Sequence, residues 1–113
     1  MYNKRNPTGY LSSIDGIQQK TLVYGTNSLM VEFLLNKGSL LPLHSHPQEQ
    51  TGYLVKGNII LTIGAEQFDV KPGDSWMIPG GIEHKADINE DSVAIEVFSP
   101  VREDYLPKQT ENR

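Results

Sequence analysis

The sequence predicts an all-β protein, built as a sandwich or barrel of short strands. Ten glycines and seven prolines interrupt the chain at short intervals. Between them lie segments in which apolar and polar residues alternate with the period of two expected of a half-buried strand. No stretch of the chain shows the apolar spacing of an amphipathic helix.

The strand pattern occurs in seven segments, in chain order 21–24, 29–35, 52–56, 58–63, 66–70, 75–78 and 93–98. Lys56–Asn58 and Gly64–Ala65 are predicted as hairpin turns, because glycine adopts a positive φ without steric cost. In Lys71–Asp74, proline presets φ and glycine takes the next position, which predicts a third turn. Burial preferences indicate a core position for four large residues, of which one or two could instead line the pocket, namely Phe33, Tyr53, Trp76 and Met77.

The length of 113 residues suffices for one domain with one core and is too short for two. Hydrophobic residues make up 37% of the chain, which is typical of a soluble globular protein. No apolar run approaches the roughly 20 residues that a membrane span requires, and residues 1–7 lack the apolar core of a signal peptide. The polar arm 1–9 and the tail 107–113 are expected to be flexible.

Charge and cysteine content exclude several classes of function. The net charge is −4 and basic residues do not cluster, which argues against nucleic-acid binding. The absence of cysteine excludes disulfides, thiolate nucleophiles and cysteine-ligated zinc. It also fits a reducing compartment, so a cytoplasmic location is expected.

The three histidines of the chain, His44, His46 and His84, have the spacing of a metal site. A strand places residues i and i+2 on one face, about 6.6 Å apart at ~3.3 Å per residue, so His44 and His46 can converge on one ion. Taken singly, each histidine is more often a surface or hydrogen-bonded structural residue. Imidazoles with one oxygen donor suit one divalent transition metal, Zn, Ni, Mn, Fe or Co, and the sequence does not distinguish among these.

These histidines lie in two motifs that resemble those of the cupin superfamily. The first, Gly-x5-His-x-His followed by Glu and Gly, is matched by Gly38, His44, His46, Gln50 and Gly57. The second, Gly-x5-Pro-x-Gly-x2-His followed by Asn, is matched by Gly73, Pro79, Gly81 and His84, with Ile88 at the asparagine position. The resemblance implies a double-stranded β-helix, the cupin jelly-roll barrel, with a metal in its lumen.

A narrower resemblance, to the KdgF-type cupins of pectin and alginate breakdown, is carried by residues 44–50 and 96–105. In that group a glutamine is a metal ligand, and a carboxylate, an aromatic ring and an arginine surround the substrate. The resemblance implies these roles for Gln50, Glu96, Phe98 and Arg102. It also implies conversion of 4,5-unsaturated monouronates into the linear keto form. The family carboxylate is typically aspartate, one methylene shorter than Glu96.

Gln50 follows His46 by four residues, so it lies on the same face if the strand continues, where the family ligand sits. Glu49 is the competing carboxylate, but its odd offset points it to the opposite face. Three neutral imidazoles and a neutral amide would leave the 2+ charge of the ion uncompensated. Such a centre attracts an anion, for example a sugar carboxylate.

Glu96 shares a strand face with Ala94 and Phe98, opposite Ile95 and Val97. Alternation alone does not decide which face lines the lumen, and the alternative is that Glu96 faces solvent. The resemblance favours the lumen, where a carboxylate near a cation is the natural general base.

Arg102 follows Pro100, at which the last strand must end. Its guanidinium could hold a substrate carboxylate in a bidentate fork at the barrel mouth. The alternative is a surface arginine paired with Glu103 or Asp104.

The leading hypothesis for function is an enzyme that moves a proton on a small anionic sugar beside the metal. The alternatives are an Fe-, Ni- or Mn-dependent dioxygenase and a non-catalytic sugar-binding cupin. Ser-His-Asp hydrolysis is excluded because no histidine remains to activate a serine. As in many cupins, residues 10–24 are expected to help form a homodimer.

Overall fold

The computed structural model describes residues 1–107, which form eight strands and one 3₁₀ turn, Glu103–Tyr105. The strands are β1 (Leu11–Ile14), β2 (Ile17–Tyr24), β3 (Leu29–Leu35), β4 (Leu40–His44), β5 (Glu49–Ile63), β6 (Glu66–Val70), β7 (Ser75–Ile78) and β8 (His84–Ser99). The all-β prediction is confirmed. Over this range no helix is both long and apolar enough to cross a membrane. The predicted flexible tail, beyond residue 107, lies outside the described residues.

The strands pair antiparallel in the order β1-β2-β3-β8-β5-β6, with β4 added to β8 and β7 added to β5. The two central strands are long, with 15 residues in β5 and 16 in β8. One half of β8 pairs with β3 and the other with β4, while β5 pairs first with β7 and then with β6. Each of the two long strands therefore contributes to both halves of the roll, and together they help to enclose its lumen.

The prediction of two strands joined by a hairpin turn at Lys56–Asn58 is wrong, because β5 is continuous there. Its register with β8 shifts on both sides of Gly57, which has a φ of 100°. A Cβ at Gly57 would lie 2.0 Å from Ser92 Oγ. The glycine thus permits a bulge that bends β5 against β8, and not a chain reversal.

The seven predicted segments leave out β1, the first half of β2, β4 and the first half of β8. Strand β4 contains Pro42, and its register with β8 slips between Leu41 and His44. Proline cannot donate a ladder hydrogen bond, so β4 suits the edge position it occupies. In the first half of β8 the buried inward residues are His84, Ala86 and Ile88, of which only Ala86 and Ile88 are apolar.

The core prediction is confirmed for Phe33, which is 7% exposed, and Trp76 packs partly buried against the same core. It is wrong for Tyr53 and Met77, each 50% exposed. Both residues lie on the outward faces of β5 and β7, since their inward neighbours alternate with them. The buried core is formed by Ile17, Leu29, Val31, Phe33, Leu35, Leu54, Ile59, Leu61, Val70, Ala86, Ile88, Ala94 and Phe98.

The chain segments that flank the strands pack on the barrel. In the N-terminal arm, Asn3 donates to the Leu22 carbonyl, and Lys20 donates to the carbonyls of Asn6 and Thr8. The flexibility predicted for this arm stays a prediction.

After β8 the chain crosses the end of the barrel. There the Tyr105 ring meets Phe98 edge-on with ring centroids 5.4 Å apart, and Thr21 donates to the Tyr105 carbonyl. This crossing places residues 101–106 beside the histidines described below.

Candidate metal centre

The three histidines meet at one end of the lumen, where one ring nitrogen from each lies within 4.8 Å of the others. His44 ends β4 and His84 begins β8, and the two are register partners. Their ring centroids lie 4.2 Å apart, and the ring of His46, from the following loop, lies 5.0 Å from that of His84. Antiparallel pairing and one short loop therefore bring all three together.

The two loops that carry His46 and precede His84 are joined through their backbones. The Gly81 N–H donates to the His46 carbonyl at 2.8 Å. A Cβ at Gly80 would lie 2.2 Å from the Pro47 carbonyl oxygen, so only glycine permits this approach. Gly80 and the motif glycine Gly81 thus hold the two loops, and with them two of the imidazoles, close together.

Each histidine places its Nδ1 within hydrogen-bond distance of a backbone carbonyl. The acceptors are Pro42 for His44 (2.7 Å), Gln48 for His46 (3.0 Å) and Ile82 for His84 (2.9 Å). A carbonyl only accepts, so Nδ1 carries the proton and Nε2 presents a free lone pair in the neutral ring. A hydrogen bond from the second ring nitrogen to a backbone carbonyl is the usual way in which metal-ligating histidines are oriented.

Two features show that these lone pairs fit a cation. His84 is 1% exposed, and its Nε2 has no hydrogen-bond partner among the described residues. His46 Nε2 lies 2.9 Å from Gln50 Oε1, although both atoms accept. A divalent ion held between these atoms would accept a lone pair from each, which would account for both features. The donor set does not identify the metal.

Gln50 connects this cluster to a buried acid. It is 5% exposed, its oxygen faces His46, and its amide nitrogen donates to Glu96 Oε1. Glu49 is exposed on the opposite face, as the odd offset predicts. A glutamate at position 50 would put two carboxylates together, whereas the amide gives Glu96 a donor.

Glu96 lies inside the barrel with 7% of its surface exposed, next to the buried Ala94 and Phe98 on the same face. Ile95 and Val97 are half-buried on the outer face. Burial raises the pKa of Glu96 to about 7, against the opposing effects of hydrogen bonds from Gln50 and Trp76 and of the Arg102 charge. A carboxyl group with such a pKa can both take and return a proton near neutral pH.

Arg102 shows features of both alternatives, because it forms an ion pair with Asp104 and also lies beside the histidine cluster. Its Nη2 and Nε pair with Asp104 at 2.8 and 3.3 Å, as expected of an ion-paired arginine. The guanidinium also lies 3.9 Å from the Tyr105 ring centroid and 5.2 Å from that of Phe98. The Phe98 ring is 5.5 Å from that of His46, so the paired arginine still borders the cluster.

One residue with a polar role was not predicted from the sequence. Trp76 was predicted as a core residue or as a lining residue of the pocket, without a polar contact, yet its indole N–H donates to Glu96 Oε1 at 3.3 Å. The alternation of β7 places Trp76 on an inward face, but the contact depends on the register of three strands.

In the metal-free protein, His84 and Glu96 are expected to have opposite effects on how stability changes with pH. Burial lowers the pKa of His84 from 6.5 to about 4, so the unfolded chain binds more protons between these values and stability rises with pH. Glu96, raised from 4.5 to about 7, is protonated in the folded state alone over that range, so its contribution falls with pH.

The Glu96→Gln variant should therefore gain stability with pH more steeply than the wild type between pH 4.5 and 6.5. Urea unfolding in the presence of a chelator measures this difference. Equal slopes in the two proteins would contradict the buried environment assigned to Glu96.

A closed antiparallel roll with converging imidazoles in its lumen defines a jelly-roll barrel protein with a candidate metal centre. This chain belongs to the cupin family, since residues 31–100 match the model of the cupin domain. The resemblance to KdgF-type cupins is also confirmed by sequence. The chain is 31% identical over 94 residues to the pectin degradation protein KdgF of Dickeya dadantii, covering 81% of this chain and 86% of that protein.

Solved structures agree with this placement. The structure of KdgF from Halomonas sp. superposes with a TM-score of 0.88 at 28% identity, covering 94% of this chain and 98% of that one. An RmlC-like cupin from Shewanella frigidimarina gives a TM-score of 0.88 at 24% identity, covering 93% and 95% of the two chains. The second similarity concerns the fold alone.

Proposed function

We propose that this cupin is a metal-dependent enzyme that converts a 4,5-unsaturated monouronate, a small anionic sugar, into its linear keto form. The observation that carries the proposal is a buried carboxyl group, Glu96, which accepts hydrogen bonds from Gln50 and Trp76 beside the three histidines. The similarity to KdgF, named for pectin degradation, supports the substrate class.

The metal would be held by the Nε2 atoms of His44, His46 and His84 and by Gln50 Oε1. A divalent ion with four neutral ligands supplies positive charge that favours a carboxylated substrate. Each imidazole ligand is held in one orientation by the hydrogen bond from its Nδ1 to a backbone carbonyl. The Gln50 amide also aligns Glu96 with the metal centre, since its oxygen lies beside His46 and its nitrogen donates to Glu96.

Glu96 would carry the proton. The sugar ring must open first: the bond between C1 and the ring oxygen breaks, the C1 hydroxyl becomes an aldehyde, and its proton passes to the former ring oxygen, which becomes an enol hydroxyl. When this enol becomes a ketone, its oxygen loses a proton and a carbon gains one, so the reaction is neutral overall. The Glu96 donors, Gln50 and Trp76, both bind Oε1. Oε2 therefore remains to accept the proton from the enol and to return it to carbon.

Arg102 would bind the substrate carboxylate. Asp104 occupies its Nε and Nη2 atoms, and within residues 1–107 Nη1 makes no hydrogen bond. The edge of the guanidinium that includes Nη1 can thus still form the bidentate hydrogen bonds that arginine makes to carboxylates. The Asp104 pair and the Tyr105 ring hold the guanidinium in place for that contact.

Replacing Arg102 with alanine is expected to raise KM for the unsaturated uronate by roughly tenfold, the loss expected for a charged hydrogen bond, with little change in kcat. Steady-state kinetics with the metal-loaded protein measure this. Arg5→Ala, in the exposed arm, is the matched control. An unchanged KM in Arg102→Ala would remove this residue from the site.

Turnover in the absence of oxygen tests the proposed reaction. The zinc-loaded protein is mixed anaerobically with unsaturated galacturonate, and the ultraviolet absorbance of the double bond is followed. The proposal expects this absorbance to fall. Binding without turnover would instead indicate a sugar-binding module, and turnover only with oxygen and a redox metal would indicate a dioxygenase.

A cytoplasmic homodimer, expected from the sequence, also remains part of the proposal. Strand β1 lies at the end of the sheet order, where no other strand of residues 1–107 pairs with its outer edge, and its Leu11 is 71% exposed. A second copy covering residues 10–24 would remove this apolar side chain and strand edge from water. Light scattering should then report twice the mass of one chain.

A further inference from the structure

Three neighbouring strands place one residue each in a single row facing the lumen. Gly52 on β5 is the register partner of Trp76 on β7 and also of Glu96 on β8. Trp76 is the one tryptophan of the chain. The glycine thus stands between the largest side chain of the protein and its buried acid.

Gly52 provides space for the indole ring. A Cβ at this position would lie 2.2 Å from Cε2 of Trp76 and 2.4 Å from its Cζ2 and Nε1. These are ring atoms of a half-buried side chain that packs against the core, so they cannot move aside freely. Any side chain at position 52 would displace the indole from the sheet.

The indole in turn reaches the acid. Trp76 Nε1 donates to Glu96 Oε1 at 3.3 Å, and the Gln50 amide donates to the same oxygen. These two are the side-chain donors to Glu96 among the described residues. A glutamate has three rotatable side-chain bonds, so a carboxylate without such donors would not keep one orientation.

We propose that Trp76 is a positioning residue which, in the space left by Gly52, fixes the Glu96 carboxylate with Oε2 directed at the substrate. The identity of the proton that Oε2 moves rests on the proposed function. The orientation itself rests on the row of three residues and can be tested without turnover.

The first test uses the single indole N–H resonance of the zinc-loaded protein in ¹H–¹⁵N spectra. A hydrogen bond to a carboxylate moves this resonance downfield, so Glu96→Gln should move it upfield. Ile95→Val, on the outer face of the same strand, is the control. A resonance that moves no more in Glu96→Gln than in this control overturns the proposal.

The second test uses Trp76→Phe, which keeps an aromatic ring and removes the donor. Its kcat should fall roughly tenfold, as expected for one hydrogen bond to a charged group, with KM and metal content little changed. In a Glu96→Gln background the same substitution should have no further effect. Full kcat in Trp76→Phe, or an equal loss in both backgrounds, overturns the proposal.

Gly52→Ala should reproduce the loss in kcat, and Thr51→Ala, the outward neighbour on β5, should not. If the wild type turns over no unsaturated uronate while Glu96→Gln shifts the indole resonance, the proposed function is wrong and the positioning of Glu96 by Trp76 is supported.

Discussion

Replacing His46 with alanine is expected to weaken the binding of a divalent metal by more than about 100-fold, since even the loss of a group that only orients a ligand costs 10–100-fold. His46 Nε2 is one of three lone pairs that meet within 4.8 Å, and its loss also frees Gln50 Oε1. Elemental analysis after dialysis should find about one equivalent of metal in the wild type and almost none in the variant.

Glu49→Ala is the control for this experiment, because it removes an exposed carboxylate next to Gln50 and should leave metal content unchanged. Folding is monitored by the melting curve without metal. Added metal should stabilise the wild type by about 2.7 kcal/mol at a hundredfold excess over its Kd, and should stabilise His46→Ala by less than about 0.4 kcal/mol at the same concentration. Full metal occupancy in His46→Ala would refute the ligand set.

Replacing Glu96 with glutamine is expected to reduce kcat on the unsaturated uronate by about 10²–10⁴-fold, the usual contribution of a positioned acid or base. The amide keeps the size of the side chain, and its oxygen can still accept from Gln50 and Trp76. Metal content should therefore be retained. Steady-state kinetics and elemental analysis of one preparation separate these effects.

Glu103→Gln, which neutralises a carboxylate in the segment that crosses the barrel end, is the matched control and should keep full activity. If Glu96→Gln proved as active as this control, the metal centre would stand and a different group would have to move the proton.

The strands that could be predicted from sequence are those with clear alternation and local turn residues. β3, β6 and β7 have the predicted bounds, because each is short and flanked by a turn or a polar loop. Gly57 shows the limit of this reasoning. A positive φ suits both a hairpin turn and a bulge, and the deciding contact, with Ser92 on β8, is distant in sequence.

The candidate site likewise contains residues that could be predicted from the sequence and residues that could not. The histidines could be found because their spacing and the flanking glycines are local features of two loops. The face of β8 that carries Glu96 could not be derived from alternation, since Ile95 and Val97 are as apolar as its inward neighbours. The polar role of Trp76 depends on the register of three strands, which no local pattern specifies.

Crystals of the zinc-loaded protein, measured on both sides of the zinc absorption edge, test the central claim most directly. The account predicts one anomalous peak per chain, within about 2.0–2.2 Å of the Nε2 atoms of His44, His46 and His84 and of Gln50 Oε1. A strong peak elsewhere, with none among the three imidazoles, would contradict it.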